Sequence, residues 1–350
     1  MNIVHFEDEP WDSGIAHYAV TLAREQSAKG HRVAFWGRDG SPVLCAAAAS
    51  GLKTQGWPAG PLAWLELSAM KKELDSFGAQ VINAHTGSSH LLALAAATAR
   101  TAVVRTRGDA RAPRGGLLAR LAASRTAAFI AANSSLKMGL ESAFPGARVS
   151  LVCQGVEGPA ETTPLPASPV VGVLARLDPV KGHEILFDAS LLLKAGRPGL
   201  RVLCAGDGEL RESLSRKSRQ PDLQGTAELL GHVQDKWRFL ASCRIGVVPS
   251  IGSEAVSRAA LEWMAAGRSL VASRVGGLPD LVADGVTGIL VPPNDPSSLF
   301  AALDGLLNDP SRAEEMGRNA RQRWERLFSP EPFYRETQNV YAQAIKSLPR

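Results

Sequence analysis

The sequence predicts two doubly wound α/β domains in tandem, on three observations. Short apolar strands alternate with segments of helical periodicity in both halves of the chain, as in a parallel sheet covered by helices. The length of 350 residues suits about two domains of roughly 100–200 residues each. A proline-rich stretch without periodicity, residues 155–169, separates the two halves and is typical of a linker.

The first half opens as a β-α-β unit. An apolar strand at residues 2–6 leads through a turn containing Gly14 into a helix, and a second strand follows at residues 32–36. The later elements predicted in this half are strands at 79–83 and 102–105 and helices at 91–99 and 117–123.

The same alternation starts again after the proline-rich stretch. The predicted strands are 170–174, 201–205, 245–249 and 270–273, and the predicted helices are 182–194, 235–242, 258–266, 296–307, 312–327 and 333–345. We therefore expect an N-terminal domain at 1–154, a linker at 155–169, a C-terminal domain at 170–327 and a final helix within 328–350 that crosses back to the first domain.

The net charge of +5 comes from one segment. Residues 100–150 hold nine basic and two acidic residues, so the rest of the chain is slightly acidic. We expect this segment to face an anionic acceptor or an anionic membrane surface. The alternative is that its arginines only solvate a helix face. No nucleic-acid motif accompanies it, which disfavours nucleic acid as the partner.

The cysteines and the apolar stretches indicate the cellular compartment of the protein. The four cysteines are widely spaced and form no C-x-x-C motif, which favours reduced thiols in the cytoplasm. The N-terminus lacks the pattern of a secretory signal, and no apolar stretch approaches the roughly 18–20 residues of a membrane span. We expect a cytoplasmic protein, free or peripheral at the inner face of the membrane.

Two short motifs favour the binding of a phosphorylated ligand. The turn at Gly14 would let backbone N–H groups approach a phosphate, although a glycine there also serves turn geometry alone. Arg176 and Lys181 stand between a strand and a helix, where they would clamp a diphosphate unless they are only solvated charges. No G-x-G-x-x-G fingerprint occurs in these turns, which counts against an NAD-dependent enzyme.

Glu254 and Glu262 form the most specific pattern. Glu262 lies in an otherwise apolar run, where a carboxylate needs a partner or a ligand; an exposed helix face is the alternative. Eight helical residues rise about 12 Å, whereas the carboxyl pair of a glycosidase needs roughly 5–9.5 Å. We therefore expect the two glutamates to hold different parts of one extended ligand.

Together these motifs resemble the retaining, nucleotide-sugar-dependent glycosyltransferases of family four. The likeness is strong over about residues 170–325, where the glutamate pair is followed by A-A-G-R-S-L-V-A-S-R-V-G-G-L-P-D and D-G-V-T-G-I-L-V. It is weaker over residues 1–150, where S-G-I, G-H-R-V and N-A-H-T fit. The stretch 81–92, with V-R-T-R after it, is similar to members that build lipopolysaccharide or other envelope glycans. The resemblance implies the GT-B fold, two Rossmann-like domains facing each other across a cleft.

The resemblance also implies a donor site. The donor-binding residues at matching positions are Gly14, Arg176, Lys181, Val233, Glu254, Val256, Ser257 and Glu262. Of these, Gly14, Arg176 and Lys181 would bind the diphosphate and Glu262 the ribose hydroxyls. Glu254, with the backbone of the residues after it, would hold the sugar and phosphate.

Further roles are implied for the sugar, the base and the acceptor. His85 would contact the donor sugar near the reacting carbon, and the backbone around Val233 would hold the base. The residues implied in catalysis are His85, Arg176, Lys181 and Glu254. The residues of the basic segment expected at the acceptor, which is a glycan or a lipid-linked molecule, are Arg105, Arg107, Arg111 and Arg114.

Departures from the family pattern leave the donor open among UDP-, GDP- and ADP-sugars. They are Ala255, Ser257, Arg258 and Asp280, and Arg258 could itself touch the donor or the acceptor. We expect no cofactor and no metal, because the protein's own cations can stabilise the leaving diphosphate. Glu7-Asp8-Glu9 is the nearest candidate for a metal pair.

Two other classes of function remain open from the sequence. A sugar-nucleotide epimerase of the same fold would use the nucleotide clamp without an acceptor. A non-catalytic nucleotide-sugar-binding subunit of an envelope-glycan complex would need neither acceptor nor turnover, and the presence of Arg176, Lys181 and both glutamates argues against it.

Overall fold

The computed structural model describes residues 1–11, 13–109, 111, 115–197, 199–252 and 254–348. The chain divides into two compact units. The first is Met1–Gly155 together with Pro330–Arg350, and the second is Val156–Ser329. Each unit contains one parallel sheet with helices packed on it, so the predicted pair of doubly wound α/β domains is confirmed.

The sheets have seven and six strands. The first contains β1 (Asn2–Glu7), β2 (Arg32–Arg38), β3 (Lys53–Trp57), β4 (Val81–Ala84), β5 (Ala102–Arg107), β6 (Ala128–Ala131) and β7 (Val149–Leu151), in the order β3-β2-β1-β4-β5-β6-β7. The second contains β8 (Val170–Leu174), β9 (Arg201–Ala205), β10 (Ala227–Gly231), β11 (Ile245–Val248), β12 (Ser269–Ser273) and β13 (Gly288–Val291), in the order β10-β9-β8-β11-β12-β13. The order reverses beside β1 and beside β8, and ligands of such sheets bind at the carboxyl ends near that reversal.

Helices connect the strands in both units. They are α1 (Gly14–Ala28), α2 (Pro42–Ala49), α3 (Leu67–Phe77), α4 (Gly87–Ala96), α5 (Leu117–Ser124), α6 (Ser134–Ala143), α7 (His183–Lys194), α8 (Arg211–Ser218), α9 (Lys236–Ser242), α10 (Arg258–Ala265), α11 (Leu278–Leu281), α12 (Pro296–Asn308), α13 (Pro310–Leu327) and α14 (Pro330–Lys346). Short 3-10 helices occupy Gly60–Glu66 and Pro179–Lys181. Within the described residues, none of these helices combines the length and apolarity that crossing a bilayer requires.

The two-residue period of the strands sorts the core of the first unit onto two faces of its sheet. Ala34 and Trp36 pack on the face covered by α3 and α4, whereas Val33 and Phe35 pack on the face covered by α1 and α2. Large apolar side chains therefore follow one another in β2, as expected for a strand buried on both sides.

The helix predicted at residues 91–99 has different bounds in the structure. It begins at Gly87 because Thr86 forms a capping box: its hydroxyl accepts from the Ser89 backbone N–H at 3.1 Å, and the Ser89 hydroxyl accepts from the Thr86 N–H at 3.1 Å. The helix ends at Ala96.

The proline-rich segment is grouped with the second unit, where buried or half-buried arginines hold its carbonyl groups. Arg268 donates to the carbonyl oxygen of Thr163 at 2.8 Å, and Arg244 donates to that of Pro166 at 2.9 Å. The last helix, α14, is grouped with the first unit: the Asn83 amide donates to the Tyr341 hydroxyl at 2.7 Å.

Candidate functional site

The loop after β8 is built to lie close against neighbouring backbone. Gly206 has φ +140°, and a Cβ there would lie 1.9 Å from the carbonyl oxygen of Ala175. Gly182, at the start of α7, has φ +71°, and a Cβ there would lie 2.0 Å from the carbonyl oxygen of Pro249. Only glycine fits either position. This packing sets the short 3-10 helix that carries Lys181 at the carboxyl end of the second sheet.

Lys181 and Glu254 meet at that edge. The Lys181 ammonium donates to Glu254 Oε1 at 2.5 Å, and the Ser250 hydroxyl donates to the same oxygen at 2.7 Å. Glu254 is 2% exposed, and a buried carboxylate needs a cation at close range, which Lys181 provides. The Gly276–Gly277 turn lies against its backbone, because the Gly277 N–H donates to the Glu254 carbonyl at 2.7 Å.

Glu262 is also buried and paired. Its Oε1 accepts from Lys236 of α9 at 2.7 Å and from Arg258, one turn earlier in α10, at 2.8 Å. These two cations explain how a carboxylate occupies the apolar run. Arg258, a departure from the family pattern, thus contacts a predicted donor residue. Sequence reasoning missed Lys236 and Ser250, because their roles depend on contacts that only the folded sheet creates.

The expectation that Glu254 and Glu262 lie on one helix is wrong. The 12 Å estimate took both glutamates to lie on one helix, but α10 begins at Arg258, and Glu254 lies in the loop before it. Ser257 is the N-cap residue of α10. Its hydroxyl is buried and has no hydrogen-bond partner among the described residues, so the start of α10 has an unsatisfied polar group beside the predicted donor residues.

Arg176 and Val233 lie near the same edge but outside this cluster. The Arg176 side chain is largely exposed and pairs with Asp178 at 2.6 Å. Val233 is half-buried in the loop between β10 and α9, and Val256 is half-buried just before α10. The structure therefore brings Lys181 and Glu254 into direct contact and places Arg176 on a different partner.

His85 ends a buried chain of hydrogen bonds in the first unit. It follows β4, and its Nε2 lies 3.0 Å from His5 Nδ1, while His5 Nε2 lies 2.7 Å from Gln26 Oε1. With the Gln26 oxygen facing His5, the protons occupy both Nε2 atoms, and His85 Nδ1 carries a lone pair. That Nδ1 atom is buried without a partner among the described residues. Burial lowers the pKa of His85 well below 6.5 and that of His5 to about 4, so both rings are neutral near pH 7.

Gly14 and the acidic turn lie after β1. Gly14 is exposed at the first position of α1, and the Ser13 hydroxyl accepts from the Ala16 N–H at 3.2 Å as its N-cap. Glu7 is fully buried, and burial together with the charge of Glu9 raises its pKa to about 8. No group of three potential metal ligands occurs among the described residues.

The sequence predicted that the basic segment forms one exposed face. The structure contradicts this prediction. Arg105 is 5% exposed, and its guanidinium donates to the carbonyl oxygens of Ala84 at 3.1 Å and Thr106 at 2.6 Å. Arg107 forms two bonds with Asp109, at 2.5 and 3.0 Å. Both cations therefore hold the end of β5 rather than an open surface. Arg111 is exposed, and Arg114 lies outside the described residues.

Family models match both halves of this chain. Residues 13–158 match the model described as Glycosyltransferase Family 4, and residues 160–323 match the model described as Glycosyl transferases group 1. Both halves of the chain thus belong to glycosyltransferase families. The resemblance inferred from the glutamate pair and the turns around it is thereby confirmed.

Similar proteins include several named glycosyltransferases. A glycogen synthase of Mycobacterium tuberculosis is 32% identical over 173 residues, 49% of this chain and 42% of the relative. A D-inositol 3-phosphate glycosyltransferase of Catenulispora acidiphila is 32% identical over 249 residues, 65% of this chain and 58% of the relative. An O-antigen chain mannosyltransferase of Escherichia coli is 31% identical over 170 residues, 48% of this chain and 44% of the relative. The chain thus spans about half the length of the curated relatives it matches.

Solved structures confirm the GT-B fold of this glycosyltransferase. Anabaena HepE in complex with UDP superposes with a TM-score of 0.85 at 20% identity, covering 98% of this chain and 100% of that one. The lipopolysaccharide outer core galactosyltransferase WaaB superposes with a TM-score of 0.77 at 16% identity, covering 97% and 98%.

Proposed function

We propose that this chain transfers a sugar from a nucleotide-sugar donor to a glycan or lipid-linked acceptor, with retention of anomeric configuration. The observation that carries the proposal is the contact of Lys181 with buried Glu254 beside the N-terminus of α10. A cation, a helix N-terminus and a buried carboxylate at the carboxyl edge of a sheet can bind a phosphate and a sugar hydroxyl side by side.

The diphosphate would be stabilised by protein charges. Negative charge develops on the leaving diphosphate as the glycosidic bond breaks, and Lys181 and the α10 N-terminus would stabilise it. Arg176 would exchange Asp178 for a phosphate oxygen, and the Ser257 hydroxyl would donate a further bond. With these donors present, we propose that the reaction needs neither a metal nor a cofactor.

The glutamates and His85 would orient the rest of the donor. Glu262 binds both of its cations through Oε1, and we propose that Oε2 accepts from the ribose hydroxyls. Glu254 would accept from a sugar hydroxyl. The lone pair of His85 Nδ1 would accept from another sugar hydroxyl near the reacting carbon, and a neutral ring there avoids repelling the positive charge that develops on that carbon.

An envelope glycan is the acceptor class that we propose. The names of two similar proteins, an O-antigen chain mannosyltransferase and a lipopolysaccharide galactosyltransferase, support it. Within the basic segment, Arg111 is the exposed described residue of the predicted acceptor set, and we propose that it contacts an anionic group of the acceptor.

Lys181→Met tests the donor site. We expect kcat for nucleotide release from the cognate donor to fall by about 10²-fold or more, because a charge that stabilises the leaving group is lost. Lys217→Met is the matched control, since Lys217 pairs with Asp188 at 2.7 Å on the surface of the same unit. Chelation with EDTA should leave the wild-type rate unchanged.

A screen of UDP-, GDP- and ADP-sugars with released nucleotide as the signal identifies that donor. Equal rates in the wild type and Lys181→Met would contradict the assigned site. If the protein converts the donor to its epimer in the absence of an acceptor, the activity is epimerisation and not sugar transfer.

A further inference from the structure

Helix α5 has the reverse of the usual distribution of side chains. Its three large apolar residues face solvent: Leu117 is 84% exposed, Leu118 82% and Leu121 60%. Its buried residue is Ala123, and Ala122 packs against the core. A surface helix normally turns its large apolar residues to the core, so this helix presents an apolar surface that its own unit does not cover.

A second segment of the same unit repeats the pattern. In the 3-10 helix Gly60–Glu66, the side chains of Leu62, Trp64 and Leu65 are exposed, whereas Ala63 is buried. Exposed leucines and a tryptophan on two separate elements are more than the scattered apolar residues of an ordinary surface.

Both segments belong to one helical layer. Ala63 and Ala122 pack against the same core cluster, which includes Leu92 and Leu94 of α4. Helix α4 contacts the 3-10 helix, and the Arg125 guanidinium at the end of α5 donates to the Leu94 carbonyl oxygen at 3.3 Å. The exposed side chains therefore lie on the outer side of a single layer.

The charge around α5 is positive. The helix carries no acidic residue, and Arg120 on it, Arg125 directly after it and Arg111 before it are exposed. Exposed aliphatic groups beside arginines fit the boundary between anionic headgroups and acyl chains. They fit a second copy of the chain poorly, because a symmetric contact would bring like charges together.

We propose that α5 and the 3-10 helix Gly60–Glu66 form a membrane-docking surface for anionic bilayers. The leucines of α5 enter the acyl boundary, and Arg120 on the same helix contacts headgroup phosphates. This surface is formed by the first unit alone and does not depend on the donor site proposed above.

Co-sedimentation of the whole chain with vesicles tests the proposal. The probes are vesicles of phosphatidylcholine alone and vesicles that also contain phosphatidylglycerol. We expect binding to the anionic vesicles, and a loss of at least about tenfold in the Leu117→Ser/Leu118→Ser/Leu121→Ser variant, since each apolar side chain that inserts contributes to partition. A second variant, Arg120→Gln, should bind anionic vesicles more weakly and show a weaker dependence on salt.

The matched control is Leu191→Ser/Leu192→Ser, which changes partly exposed leucines of α7 in the second unit. It should bind like the wild type. The proposal is overturned if the triple serine variant binds as well as the wild type, or if wild-type protein binds both vesicle types equally or neither. It is also overturned if size-exclusion chromatography shows that wild type is a dimer and the triple variant a monomer, because the surface then serves a second copy.

Discussion

At the scale of single residues, glycines fix the loop that carries Lys181. Gly206→Ala places a Cβ against the Ala175 carbonyl at a φ that alanine rarely adopts. The strain alone costs about 1–3 kcal/mol, so we expect Tm to fall by several degrees, measured by scanning fluorimetry. Gly196→Ala is the control, because a Cβ there meets no atom within 4 Å. Equal Tm values for the two variants would contradict the close packing of the loop.

Glu7 makes the folded protein less stable as the pH rises, whereas the lowered pKa values of buried His5 and His85 make it less stable as the pH falls. Its folded pKa of about 8 lies above the usual 4.5, so the folded state holds a proton that the unfolded state releases. Its contribution to stability is complete below about pH 4.5 and is lost as the pH rises through about 8. Glu7→Gln should therefore gain Tm relative to the wild type as the pH rises from about 5 to about 8.

The matched control for that change is Glu141→Gln, at an exposed position of α6, where the carboxylate forms a surface pair with Lys137. Its Tm should differ from the wild type by the same small amount at every pH. The effects of His5 and His85 are common to all three proteins and cancel in the differences. A Glu7→Gln difference that stays constant with pH would contradict the raised pKa.

At the scale of elements, Arg268 holds the proline-rich segment to the second unit. It is 1% exposed and donates to Thr163 and Pro164 of that segment as well as to Leu240 and Ala241. Arg268→Met removes all of these bonds to the segment, so we expect limited proteolysis by a non-specific protease to cut within residues 156–169 at least tenfold faster. Arg274→Met, which removes a surface pair with Asp284, should leave the rate unchanged. Equal cleavage of both variants would show that Arg268 does not anchor the segment.

Sequence patterns predicted most of the central strands and missed several elements nearer the edges of the sheets. The central strands β1, β2, β4, β5, β8, β9, β11 and β12 were predicted within a few residues. Strands β3 and β10 lie at the edges of the sheets and are partly exposed, so their sequences K-T-Q-G-W and A-E-L-L-G lack a continuous apolar run. Helices α2, α3, α6, α8 and α11 and strands β6, β7 and β13 were also missed, although β6 is fully buried.

At the scale of the whole molecule, the sequence predicted the paired glutamates better than it predicted the surroundings of the basic segment. Lys181, Glu254 and Glu262 were identified from their spacing, and the structure shows that all three are ion-paired. The partners Lys236 and Ser250 come from other elements, so no local pattern could reveal them. The basic segment was read as one face, but Arg105 is buried. Arg105 is buried because it lies in strand β5, and a sum of charges along the sequence does not show which residues a strand buries.

The central claim is that the second unit binds a nucleoside diphosphate through Lys181. Isothermal titration of the whole chain with UDP, GDP and ADP tests it directly, since it needs no acceptor. We expect one of them to bind, with affinity about 10- to 100-fold weaker in Lys181→Met and unchanged in Lys217→Met. Binding that is equally tight in all three proteins, or absent for every nucleotide in the wild type, would contradict the account.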